Sequence, residues 1–148
     1  MTKKIALGVL IGLIVGGILI QFLPYGHDHT NPPVTAEPQW NSQQTRGLAA
    51  RACYDCHSNQ TTWPYYSNIA PLSWLIQHDV EEGRSRLNFT EWNQPQREVD
   101  NAARQVQRGA MPQWYYVMLH PTANLTPAEK QALIQGLQAS LSGGGRTQ

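Results

Sequence analysis

Sixteen consecutive residues, Ile5 to Ile20, carry no polar side chain, and the apolar run continues through Gln21 to Phe22 and Leu23. As a helix, a segment of this length spans about 28 Å at ~1.5 Å per residue, close to the hydrocarbon thickness of a bilayer. Gly8, Gly12, Gly16 and Gly17 interrupt it, but membrane helices tolerate glycine. They also form a small-xxx-small stripe of the kind that pairs helices, although plain tolerance explains them as well. Lys3 and Lys4 precede the run and favour the cytoplasmic side, which places the rest of the chain outside the cytoplasm. A cleaved signal peptide has a shorter apolar core, ~7–15 residues, with a small-x-small site close behind it. Val34-Thr35-Ala36 has suitable residue sizes but lies too far downstream. Residues 1–23 are therefore expected to be a single retained transmembrane helix.

Removing this segment changes the arithmetic of the chain. The full sequence has 11 basic and 10 acidic side chains, and two of the basic ones are Lys3 and Lys4. The remainder is nearly neutral, which argues against nucleic acid as a partner. Its apolar residues, glycine included, make up 38%, below the ~45–50% usual for globular chains. All five tryptophans lie there. A small domain poor in aliphatics and rich in aromatics suits packing around an apolar cofactor. Residues 24–39 hold four prolines and no hydrophobic period, so they are expected to form an extended spacer. The pattern His27-Asp28-His29 within it suits solvated linker histidines better than a metal site. Residues 40–142 form the expected folded domain, and residues 143–148, glycine-rich, a flexible tail.

Only two cysteines occur, and they fall in Cys53-Tyr54-Asp55-Cys56-His57. The pattern C-x-x-C-H is the attachment sequence of c-type haem. Two thiols add across the two vinyl groups of the porphyrin, and the adjacent histidine ligates the iron. A thioredoxin-like thiol pair is the rival, but it prefers a βαβ setting, and no strand pattern precedes this motif. A structural disulfide is the bland alternative. One covalent haem, held by Cys53 and Cys56 with His57 as proximal ligand, is the expected cofactor.

Further residues carry a family resemblance. They are Cys56-His57-Ser58-Asn59, Trp63-Pro64-Tyr65-Tyr66-Ser67, Ile69-Ala70-Pro71-Leu72-Ser73-Trp74, Glu82-Gly83-Arg84 and Asn88-Phe89-Thr90-Glu91-Trp92, followed by Met111-Pro112 and His120-Pro121. The pattern resembles the bacterial haem-binding domain family of small c-type cytochromes over roughly residues 40 to 141. The resemblance implies a membrane-anchored or exported haem protein.

The periodicity points to an all-α domain. Asn41 or Ser42 is placed to cap a helix from Gln43 to about Tyr54 that ends in the haem motif. Leu72, Leu75, Ile76 and Val80 predict an amphipathic helix over Leu72–Glu82, closed by Gly83. Val99, Ala102, Ala103 and Val106 predict a helix over Gln96–Arg108 with Gly109 as its stop. Thr126-Pro127-Ala128-Glu129 is a capping box for a last helix carrying Leu133, Ile134, Leu137 and Leu141. This order resembles the class I cytochrome c fold, in which first and last helices cross; Gly47 and Gly136 are candidates for a close crossing.

Met111 is the expected sixth ligand of the iron, since it sits in a loop beside a proline after a glycine-closed helix. Thioether ligation favours ferrous iron. Met118, His78, His120 or an open site are the alternatives. Buried haem propionates need hydrogen-bond donors, and Trp63, Tyr66 and Arg84 are candidates. His57 should donate its second ring N–H to a carbonyl, with that of Pro64 suggested by analogy.

The function expected from these features is single-electron transfer on the periplasmic side of the inner membrane, with redox proteins as partners and no enzymatic activity. A haem-based ligand or redox sensor with a displaceable or open sixth site is the alternative.

Overall fold

A computed structural model describes residues 2–142; the tail expected at 143–148 lies outside the described residues. Seven α-helices and four 3-10 turns account for the regular structure, and among the described residues there is no strand beyond one isolated bridge between Ala36 and Glu91. The all-α expectation holds.

The chain divides into two compact units. One comprises residues 1–30 and 63–79, the other residues 31–62 and 80–148. The first unit begins with helix α1 (Thr2–Leu19), followed by the 3-10 turn Ile20–Phe22. Lys3–Phe22 is long and apolar enough to cross a membrane, with a mean hydropathy of 2.5. The Gln21 side-chain amide ends this run by pairing with Ala70, accepting from its N–H at 3.0 Å and donating to its carbonyl at 3.1 Å.

The second unit contains α2 (Gln43–Ala52), α3 (Tyr54–His57), the C-terminal half of α4 (Leu72–Arg86), α5 (Ala102–Gln107), α6 (Trp114–Leu119) and α7 (Pro127–Leu141). Ser42 caps α2 by accepting from the Thr45 N–H. The capping box on α7 is complete, with Thr126 and Glu129 exchanging side-chain-to-backbone bonds. Leu48, Phe89, Val106, Leu133 and Leu137 are among the buried residues of one continuous core, with Trp40, Trp92 and Met111 packed at its edge.

α2 and α7 cross closely, and one glycine accounts for it. A Cβ on Gly136 would stand 2.1 Å from Thr45 Oγ1, whereas nothing lies within 4 Å of a Cβ on Gly47. The contact is therefore glycine against threonine; Gly47 faces open space.

Three elements differ from the periodicity. α4 does not stop at Gly83 but runs on to Arg86, because this glycine serves close packing instead of chain reversal. The helix expected from Gln96 begins only at Ala102, after a 3-10 turn at Val99–Asn101. The N–H groups of Arg97 and Glu98 bond to the Arg86 carbonyl, and the Gln96 side chain bonds to Asn88 and Glu91, so this segment closes the end of α4. Trp114–Leu119, for which the periodicity predicts no helix, is a helix with no buried residue.

The proline-rich segment carries no helix, and it is held along its length. Gly26, buried at φ +96°, donates to Gln77 Oε1 at 2.6 Å, and His29 stacks on Trp63. In the second unit, the N–H groups of Thr35 and Ala36 donate to the Thr90 carbonyl, and Glu37 receives a forked pair from Arg46.

Candidate haem site

The Cys53–His57 segment sits where α2 gives way to α3. Cys53 closes α2, its N–H bonding to the Ala49 carbonyl at 2.8 Å, and its own carbonyl receives the N–H groups of Cys56 and His57. The single turn of α3 thus presents two thiols and an imidazole within five residues.

α4 is the backing of this turn. A Cβ on Gly83 would lie 2.3 Å from the Cys56 carbonyl oxygen, so only glycine permits the approach. His57 Nδ1 faces the carbonyl oxygens of Gly83 at 3.1 Å and Leu87 at 3.0 Å. Both are acceptors, so Nδ1 carries the proton and Nε2 holds the ring's lone pair. The acceptors are carbonyls at and just beyond the C-terminal end of α4, not that of Pro64. The Gly83 carbonyl also accepts from the Leu87 N–H at 2.9 Å, so its second lone pair serves His57, and carbonyls in the last turn of a helix carry partial negative charge. They fix the tautomer and increase the electron-donating power of Nε2. Burial holds the His57 pKa below its ordinary value, so the ring stays neutral, as a metal ligand must.

A cavity of about 270 Å³ opens beside this turn. Cys53, His57, Leu87, Phe89, Val106 and Met111 are among its walls, and Arg86 and Arg108 stand among its polar lining residues. Phe89 packs against His57 edge-on, with ring centroids 6.4 Å apart. The apolar wall desolvates the Cys53 thiol and pushes its pKa up to about 12. A nucleophilic redox cysteine is held low instead, so this environment does not suit a thiol-exchange pair.

Met111 reaches the cavity from the end of α5, where the chain turns through a complete Schellman motif. Gly109, at φ +76°, donates to the Val106 carbonyl, and Ala110 donates to that of Gln105. The Met111 N–H bonds to the Gln105 carbonyl as well, which anchors its backbone. Of the other ligand candidates, Met118 is 65% exposed and His120 donates from Nδ1 to the Tyr116 carbonyl while stacking on the Tyr116 ring. Neither lines the cavity. His78 is exposed on α4. Among the described residues, no three side chains of His, Cys, Asp or Glu gather into a metal site, the His27-Asp28-His29 run included.

The structure thus brings Cys53, His57 and Met111 to one cavity, with Cys56 on the same turn as Cys53. It places the other candidates elsewhere. The Arg84 guanidinium donates to the Ser58 carbonyl at 2.8 Å, Asn31 Oδ1 at 2.7 Å and Thr61 Oγ1 at 2.9 Å, so it braces the loop after the motif. Trp63 and Tyr66 belong to the first unit, Trp63 stacked on His29 at 4.4 Å and Tyr66 edge-on to Tyr65. The arginines at the cavity are Arg86 and Arg108. Arg86 pairs with Glu82, and Arg108 donates to Gln105 Oε1.

The recurring polar motifs form a buried brace. Asn88 Nδ2 donates to Asn59 Oδ1 at 2.8 Å, Thr90 donates to Asn88 Oδ1, and the Asn59 N–H donates to Thr90 Oγ1. Asn59 Nδ2 continues to Glu91. The side-chain amides of Asn59 and Asn88 and the Thr90 hydroxyl all have partners within this brace, as a low-dielectric interior demands. The brace fixes the segment after His57 against the segment containing Phe89. Asp55, inside the motif, accepts from the Tyr116 hydroxyl at 2.7 Å, and that contact together with burial pushes the Tyr116 pKa up.

This donor set fits haem: two thiols, one neutral imidazole with a fixed tautomer, a thioether, an apolar wall and cationic side chains beside it. A family model described as a haem-binding domain matches residues 15–139. No curated protein and no solved structure matches the chain.

Proposed function

The chain belongs to the haem-binding domain family and binds haem, and from that premise we propose that it is a membrane-anchored monohaem c-type cytochrome that carries single electrons. The observation that carries this reading is the shared cavity of His57 and Met111, with Cys53 in its wall. Bound haem supplies one-electron iron chemistry. Cys53 and Cys56 would hold it through thioether bonds, so that it is not lost outside the cytoplasm. His57 would ligate through Nε2, with Gly83 and Leu87 holding its other nitrogen. Met111 would hold the iron through its thioether, delivered by the Gly109 turn. Leu87, Phe89 and Val106 would give the group an apolar wall. Arg86 and Arg108 are better placed than Arg84 to meet the propionates.

Held by both His57 and Met111, the iron would keep its protein ligands through a change of oxidation state, which suits electron transfer better than binding of a substrate. Lys3 and Lys4 favour an orientation with the haem domain on the periplasmic face of the inner membrane, where α1 would keep it close to membrane redox proteins.

The test is carbon monoxide binding to the reduced full-length protein. Absent or slow binding supports the electron carrier. Rapid stoichiometric binding would overturn it in favour of a sensor with a displaceable or open sixth site.

A further inference from the structure

The N-terminal half of α4 is amphipathic the wrong way round for a helix folded against a core. Ser73 and Gln77 are buried, while Leu72 and Leu75 are 43% and 41% exposed. The polar face packs within the first unit: Gln77 Oε1 accepts from the N–H groups of Gly26 and Asp28, and Ser73 is covered by Gly26, where an added Cβ would stand 2.6 Å from its hydroxyl. The apolar face has no such cover. Ile69, at 49% exposure, and Tyr65, at 82%, extend it toward the start of the helix. From Trp63 to His78 the chain has no Asp, Glu, Lys or Arg.

The same segment is fixed to the end of α1. Gln21, at the close of the apolar span, holds both the N–H and the carbonyl of Ala70, the residue next to Ile69. If α1 crosses a bilayer, Ala70 lies where the span leaves the hydrocarbon. Residues at that level meet the headgroup boundary, where tyrosine and apolar side chains are favoured and charged ones are not needed. Phe22, Leu23 and Tyr25 are exposed at the same end of the span.

We propose that Tyr65, Ile69, Leu72 and Leu75 form a lipid-facing surface that lies in the interfacial layer of the membrane α1 crosses. The occupant is phospholipid, and the surface is continuous with the span through the Gln21–Ala70 clamp. The inference rests on the proposed anchoring by α1. It gives that anchor a second footing, so that residues 63–79 are held against the membrane and are not merely tethered to it.

The test uses the full haem-loaded chain with labelled isoleucine methyl groups, in phosphatidylcholine nanodiscs with and without a lipid bearing a nitroxide near its headgroup. Nuclear magnetic resonance then reads the paramagnetic broadening at Ile69 and at Ile18. Loss of most of the signal at both residues is expected. Broadening at Ile18 with Ile69 unaffected would overturn the proposal and leave the face to a protein partner. No broadening at either would overturn the anchoring by α1, and this proposal with it.

Discussion

Gly83 of α4 lies so close to Cys56 that a single added carbon would stand 2.3 Å from the Cys56 carbonyl oxygen. The neighbour is backbone, which cannot rotate away. Gly83→Ala must therefore push α4 off the Cys53–His57 turn, and overpacking of this kind costs about 1–3 kcal/mol. Because the Gly83 carbonyl also accepts from His57 Nδ1, the variant should lose more than stability. Urea unfolding of the haem-loaded protein should show the loss, and the reduction potential should shift as the proximal hydrogen bond lengthens. An unchanged midpoint in both measurements would contradict this packing.

The crossing of α2 and α7 offers a paired comparison. Gly136→Ala places a carbon 2.1 Å from Thr45 Oγ1 and 2.8 Å from Thr45 Cβ, so it should destabilise by about 1–3 kcal/mol. Gly47→Ala meets nothing within 4 Å inside a helix, so it should stabilise by up to about 1 kcal/mol through helix propensity. Thermal unfolding of the two variants should move in opposite directions.

Gly109 tests the turn that delivers Met111. Its φ of +76° is costly for any residue with a Cβ, while the nearest atom to an added Cβ, Lys130 Nζ, is 3.7 Å away and leaves room. Gly109→Ala should therefore cost about 1–2 kcal/mol from backbone strain alone. Strain there is relieved by opening the Gln105–Met111 turn, so circular dichroism melting should show the lost stability, and the haem spectrum should show a weakened sixth ligand.

The acid limb of stability should carry a mark of Glu129. Its carboxylate accepts from the Thr126 N–H and from Arg51 at 2.6 Å, which hold its pKa at about 2, well below the ordinary glutamate range. A group depressed in the folded state contributes stability above its unfolded pKa and loses that contribution as pH falls through the folded one. The loss should therefore run from the ordinary value of about 4.3 down to about 2. Glu129→Gln keeps the capping geometry but not the charge, so its unfolding midpoint should fall less steeply over that range.

Much of this was legible in the residues. Cys53, Cys56 and His57 pointed to haem, and the capping box at Thr126 and the glycine stop at Gly109 fixed two helix ends. Gly83 misled because glycine both ends helices and permits close contacts, and only the neighbour, here Cys56, distinguishes the two. Leu72 and Leu75 misled because periodicity reports that a face is apolar but not what covers it. Arg84 and Arg86 differ by two positions on one helix and face different neighbours, Ser58 for one and the cavity for the other. A sequence motif does not carry that rotation. The roles of Asn59, Asn88 and Thr90 were equally hidden, since a buried hydrogen-bond chain spans residues about thirty positions apart.

The most direct measurement of the central claim is the visible absorption spectrum of the oxidised full-length protein beside its Met111→Ala variant. Ligation of the iron by His57 and Met111 predicts a weak far-red sulfur-to-iron band in the parent and its loss in the variant. A parent spectrum without that band, or a variant that keeps it, would contradict methionine ligation by Met111.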